Sequence, residues 1–169
     1  MVINHNDTKF ISFLEEVKAE FSDIPQHSSV RWLSAGKTLQ HFFALRKDIL
    51  SFLQNEQLSN TELYQTQLQD RDFICSLAFL TDITAHLNVL NLSLQGKQQN
   101  ISQLVGHIEA FRKKLLLFSA NLRKNDLAHF PSCLELMADD MESDFSCFVR
   151  KIESLSVEFE NRFIETLRN

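Results

Sequence analysis

Asp82 and His86 stand four residues apart, a spacing that puts both side chains on one face of a helix, and both residue types bind divalent metals. A metal centre takes three or four ligands, and no second pair in the sequence is spaced to complete one. The two residues therefore read as a hydrogen-bonded structural pair. Cys75, Cys133 and Cys147 are widely separated and fall at apolar helical positions, so they read as buried thiols in a reducing compartment, not as a disulfide or zinc framework. Glu135, Asp139, Asp140, Glu142 and Asp144 form an acidic block whose carboxylates suit magnesium, yet helix capping and solvation account for them more simply. There is no HExxH, GxSxG or Gly-rich phosphate loop. The sequence thus offers no catalytic, cofactor-binding or metal-binding residues and implies no cofactor.

Arg31-Trp32 is the pair with chemistry of a different kind. Trp32 is the single tryptophan, and His27, Lys37, Arg46 and Lys47 lie around it with no acid between Asp23 and Asp48. Arginine and lysine hold phosphates, and an indole stacks on an unpaired base. From composition alone the simpler reading is that Trp32 packs on a helical bundle and Arg31 pairs with a carboxylate. A second basic group, Arg112, Lys113, Lys114, Arg123 and Lys124, is followed closely by the acidic block, which reads as ordinary surface pairing.

The elements that carry these residues are helices. Only 3 Gly and 2 Pro in 169 residues leave few turn signals for a sheet, and 15 Phe supply bulky core units. The centre is 70–125. Phe73, Leu80, Leu87 and Leu94, with Ile83 and Leu90 offset, precede Gly96; Ile101, Leu104, Ile108, Phe111, Leu115, Phe118 and Leu122 follow it. Each set makes an apolar stripe, and the turn is short enough for two helices to fold back on each other. Gly96 suits the left-handed position that ends the first helix, and Asn100 or Gln98 opens the second.

Further helices flank this hairpin. Residues 7–21 form a helix with Phe10, Leu14, Val17 and Phe21 on its apolar side, ended by Asp23-Ile24-Pro25. Residues 26–34 form an extended segment, and Ser34 caps a helix over 35–54. Residues 55–69 are polar and read as a loop with one short helical turn. Pro131 starts a helix to Ala138. From Asp144 a long helix carries Phe145, Phe148, Ile152, Leu155, Phe159, Phe163 and Leu167 against the hairpin. The expected fold is all-α, an elongated helical bundle built around a long antiparallel helical hairpin. No apolar run reaches the roughly 20 residues needed to span a bilayer, and no basic leader with an apolar core opens the chain.

Three segments also carry a resemblance. Leu77-Ala78-Phe79-Leu80-Thr81-Asp82-Ile83, His86-Leu87-Asn88-Val89-Leu90-Asn91 and Leu94-Gln95-Gly96-Lys97 resemble the central signature of hAT-type transposase-derived proteins. They are most similar to the domesticated vertebrate group with BED-type zinc-finger, SCAN-domain and general transcription factor II-I repeat-domain proteins. His27 to Lys37 resembles the family's H-x-x-V-R-W-L-S-R-G-K segment, with Ala35 in place of its arginine, and Leu127-Ala128-His129-Phe130-Pro131 resembles its N-x-x-x-F-P segment.

The resemblance implies a nuclear protein in which Arg31, Trp32 and Lys37 are candidate DNA contacts. It also implies that 1–34 is the edge of a degenerate RNase H-like region and 35–169 an insertion-type helical bundle. An RNase H-like transposase needs three acidic residues on a sheet to hold two metals, and the family's set falls outside this chain. The expected function is a non-catalytic scaffold with protein partners on its helical surfaces, residual DNA contact, no membrane and room for an oligomer. The alternative from the heptads alone is a free-standing helical adaptor or coiled-coil oligomerisation module.

Overall fold

The computed structural model describes residues 5–16, 32–55, 61–96, 100–139 and 143–168. Every regular element among them is helical. The chain divides into two compact units, 1–81 and 82–169.

The first unit contains α1 (His5–Glu16), α2 (Trp32–Ala44), α3 (Arg46–Asn55), α4 (Glu62–Gln69) and the start of α5 (Arg71–Leu94). Helix α3 is its hub and touches α1, α2 and α4. Leu14, Leu45 and Ile49 form the buried centre, with Phe13, Phe42, Leu53 and Leu68 packed around them. The rings of Phe13 and Phe52 lie 5.3 Å apart. Arg46 is buried too: its guanidinium donates to the Phe43 carbonyl at 2.7 Å and sits 3.9 Å from the Phe43 ring centroid. An aromatic face and a carbonyl together compensate part of the lost hydration.

Several boundaries differ from the sequence expectation. The helix expected over 35–54 begins at Trp32, so Ser34 lies inside it and is not its cap, and the extended reading fails at 32–34. It is interrupted at Leu45. The hydrogen-bond ladder nonetheless continues through that residue, Leu45 N–H to His41 O at 2.9 Å and Ile49 N–H to Leu45 O at 2.8 Å. The polar stretch expected as a loop contains the eight-residue α4. No α4 residue is fully buried, but Gln65 donates to the Leu53 carbonyl at 3.0 Å and Leu68 reaches the core. Val17, Phe21, the Asp23-Ile24-Pro25 stop and the extended segment at 26–31 lie outside the described residues.

The second unit contains the rest of α5, α6 (Ile101–Leu122), α7 (Pro131–Asp139) and α8 (Val149–Arg168), with a 3₁₀ turn at Ser146–Phe148. Asn100 opens α6 with a capping box: its side chain accepts from Gln103 N–H at 2.9 Å, and the Gln103 side chain accepts from Asn100 N–H at 3.0 Å. Phe111, Leu115, Phe118 and Leu122 are buried at 3–4 spacing, the last three with no exposed surface. Ile101, at the far end of the expected stripe, is 77% exposed.

Helix α6 packs most extensively against α8. The two run antiparallel, with Phe111 and Phe159 rings 5.2 Å apart, Arg112 on Glu160 at 2.9 Å, and Ser119 Oγ donating to Glu153 at 3.2 Å. Arg123 also bonds Glu153. The α6 stripe is therefore covered largely by α8. The last helix starts at Val149, not Asp144, because both Asp144 carboxylate oxygens bind Ser146, one its N–H at 2.8 Å and one its hydroxyl at 2.9 Å. Such side-chain-to-backbone bonds favour a turn over a helix.

Helix α5 buries only part of the stripe expected: Ile83 and Leu90 are inside and Leu87 and Leu94 half-buried, but its first two members are not. Leu77, Ala78, Phe79, Thr81, Asp82, Ile83 and Leu90 are buried, whereas Phe73 and Leu80 (45%) are exposed. Thr81 enters the core at no hydrogen-bonding cost, since its hydroxyl donates to the Leu77 carbonyl at 2.8 Å. By length and composition α5 does meet the requirement for crossing a bilayer, contrary to the sequence reading. Within it Asp82 is 3% exposed and accepts backbone amides at the start of α7, so at that point the helix is packed inside a folded unit.

The expected RNase H-like fragment is not found. That fold is built on a sheet, and no strand occurs among the described residues; the described part of 1–34 lies in α1 and the start of α2. The cysteines are not disulfide-bonded, but only Cys133 is buried; Cys75 is half-buried and Cys147 exposed. Cys147 lies in the 3₁₀ turn, where it no longer shares the buried side of α8.

Candidate functional site

The most highly organised polar site gathers Asp82, His86, Lys114 and His129 at the start of α7. Pro131 occupies the first helical position of α7, where a missing N–H costs nothing. The next two amides still need acceptors. Asp82 supplies them: Oδ1 accepts Ser132 N–H and Oδ2 accepts Cys133 N–H, each at 3.1 Å. The carboxylate also stands at the positive end of the helix. It does the work of an N-cap from fifty residues away in sequence.

One turn along α5, His86 reaches the residue before Phe130. Its Nε2 lies 2.8 Å from the His129 carbonyl oxygen, and its Nδ1 lies 3.2 Å from Lys114 Nζ. A carbonyl only accepts and an ammonium only donates, so these partners define a neutral imidazole with the proton on Nε2. The ring stacks at 4.5 Å on Phe118 and meets Phe130 edge-on at 6.1 Å. Phe118 and Phe130, both fully buried, lie 5.0 Å apart. Burial, the largest influence, holds the His86 pKa below 6.5; Lys114 pushes the same way, while the His129 carbonyl and Asp82 oppose.

The helix pair expected of Asp82 and His86 is thus real as a shared face, but its bonds go outward to 129–133. The other side of this connection is held by Asn125. Its φ of 50° is the left-handed value, and the Asn125 and Asp126 amides bond the Leu122 and Asn121 carbonyls at 3.0 and 2.9 Å. That pairing is a Schellman closure with asparagine where glycine is usual. No glycine among the described residues has positive φ, so the helix-ending geometry expected at Gly96 occurs at Asn125. The Asn125 side chain then accepts Phe145 N–H at 3.1 Å and donates to the Ser143 carbonyl at 3.3 Å. Nothing in the local sequence distinguishes these roles from those of any polar residue near a helix end.

This cluster is structural. It has two imidazoles, His86 and His129, one engaged carboxylate and an ammonium, with no nucleophile beside a base. No group of three or more His, Cys, Asp or Glu that could hold a metal occurs among the described residues. Of the candidate DNA contacts, Lys37 is exposed on α2 and Trp32 is the first residue of the same helix; Arg31 lies outside the described residues.

These features define an all-helical domain whose polar residues cap and join its helices. Residues 3–123 match the family described as the FAM200/GTF2IRD2 helical domain, and the chain belongs to that family. It is 38% identical over 160 residues to the mouse (Mus musculus) general transcription factor II-I repeat domain-containing protein 2, covering 95% of this chain and 16% of the relative. The cattle (Bos taurus) protein of the same name is 37% identical over 157 residues, covering 93% and 16%. The chain therefore spans about one sixth of the length of these relatives. No solved structure matches it. The chain is a helical domain homologous to general transcription factor II-I repeat domain-containing proteins, in agreement with the resemblance to hAT transposase-derived proteins.

Proposed function

We propose that this chain is the helical scaffold of a hAT transposase-derived nuclear protein and that it presents helical surfaces to protein partners. The family match over 3–123 carries the reading. Further support comes from the name of the mouse and cattle relatives, which refers to a general transcription factor repeat, and from exposed apolar residues on α6, Leu116 and Leu117. Apolar side chains left outside a completed core suit contact with another protein. The test is co-precipitation from nuclei with the full-length protein, comparing wild type with Leu116→Glu/Leu117→Glu. Loss of partners with an unchanged helical spectrum supports the scaffold role. Cytoplasmic residence, or identical partners for both forms, overturns it.

Residual DNA contact belongs to the same proposal, with Arg31, Trp32 and Lys37 as the contacting residues. The exposure of Lys37 and its place on the helix that Trp32 begins support this. Fluorescence anisotropy on hairpin and single-stranded DNA tests it. Salt-dependent binding that weakens in Arg31→Ala, Trp32→Ala and Lys37→Ala is expected. Equal binding by wild type and variants removes the DNA role and leaves the scaffold.

A further inference from the structure

His86 has a bonding pattern that one proton reverses. Neutral, it accepts from Lys114 Nζ at Nδ1 and donates from Nε2 to the His129 carbonyl. A proton taken from solvent adds to the Nδ1 lone pair, the same pair Lys114 uses. The product is an imidazolium N–H aimed at an ammonium 3.2 Å away, two donors and two positive charges with no acceptor between them. The bond to His129 survives that step, but the Lys114 contact does not.

The surroundings limit how the clash can be relieved. The ring lies against Phe118 at 4.5 Å and Phe130 at 6.1 Å, so it cannot swing without displacing Phe130, which precedes Pro131 and α7. The charged and titratable groups facing it are Asp82 from α5, Lys114 from α6 and His129 from the α6–α7 connection. Asp82 could offset the new charge, but both its oxygens are committed to Ser132 and Cys133 amides. Turning one toward His86 would take it away from α7.

We propose that His86 is a proton-operated latch on α7, holding the helix start against Asp82 when neutral and loosening it when charged. The latch couples proton uptake to loosening of the Ser132 and Cys133 amides from Asp82, keeps the His129 bond, and is independent of any DNA contact.

The experiment uses the 169-residue chain. Imidazole carbon NMR shifts follow His86 protonation from pH 7.5 to 5, and hydrogen-exchange protection of the Ser132 and Cys133 amides, corrected for intrinsic rates, follows the latch. In wild type, protection falls about tenfold or more as His86 titrates, which corresponds to about 1.4 kcal/mol. In His86→Gln the loss over that range disappears. In Lys114→Met, His86 titrates at higher pH because a neighbouring cation no longer opposes protonation, and the protection loss shrinks because the clash between two donors is gone. Protection that stays constant through the His86 titration overturns the proposal. The same loss in His86→Gln also overturns it and assigns the effect to Asp82. If His86→Gln does not fold, Lys114→Met decides alone: a protection loss as large as in wild type is fatal.

Discussion

Asp82 accepts the backbone N–H of Cys133 at 3.1 Å, across 51 positions of sequence. This bond and its twin to Ser132 fix where α7 begins relative to α5 within the second unit. The first consequence concerns stability. Asp82→Ala leaves two amides at a buried helix start without acceptors and should destabilise the domain by about 2–3 kcal/mol. Asp82→Asn keeps one good acceptor and loses the charge, so about 1 kcal/mol is expected. Urea unfolding followed by helical circular dichroism measures both. A cost for Asp82→Ala no larger than that of an exposed substitution would show that water replaces the carboxylate.

Asn125 makes a second, more specific test, because backbone and side chain contribute separately. Asn125→Gly relieves the left-handed residue but loses the bonds to Phe145 and Ser143. Asn125→Ala loses the same bonds and adds about 1 kcal/mol of left-handed strain. Alanine should therefore be worse than glycine by about that amount in the same urea measurement. Equal effects would mean the backbone shifts out of the left-handed region at no cost.

The α6–α8 seam separates packing from charge. Leu115 is fully buried, and Leu115→Ala should cost about 2–5 kcal/mol. Glu153 and Arg123 are roughly half exposed, so Glu153→Gln should change stability by less than about 1 kcal/mol. Sedimentation of the Leu115→Ala chain should show the same mass as wild type, since the residue faces α8 in its own chain. A changed oligomeric state would make the stripe an intermolecular seam.

The depressed His86 pKa sets a pH dependence with a definite sign. Unfolded, the imidazole titrates near 6.5; folded, it titrates lower, so between the two values the unfolded state holds more protons. Stability from this group is complete above about pH 6.5 and is lost as pH falls toward the folded value. Unfolding free energy measured from pH 7.5 to 5.5 should fall in wild type and fall less steeply in His86→Gln. Parallel slopes would place the effect on other groups.

Much of the helical architecture was legible from spacing. Phe111, Leu115, Phe118 and Leu122 announced the buried side of α6, Asn100 its start and Pro131 the start of α7. The sequence could not say that α8 covers this stripe, because a stripe specifies a need for apolar cover without naming its source. Helix α5 misled for a related reason. Heptad counting put Phe73 and Leu80 inside, whereas the buried residues include Thr81 and Asp82, polar side chains that only long-range partners make welcome there. Helix α4 was read as a single short turn within a loop because it lacks a buried stripe. The Asp82–His86 face was found, but its partners lie 28 to 51 positions away, beyond any local pattern.

Asp70 is a joint of a single residue. It is extended, with φ −74° and ψ 121°; its N–H closes α4 on Gln67, while its carboxylate accepts Phe73 N–H at 2.8 Å to open α5. Such a hinge pin leaves no slack. One residue inserted into the first turn of α5, just past it, would turn the helix beyond by about 100° around its axis, swinging Leu77 and Ala78 toward water. Length variation among homologues should therefore avoid this joint, and a natural relative with an extra residue there would need to rewrite the inward face of the next helix.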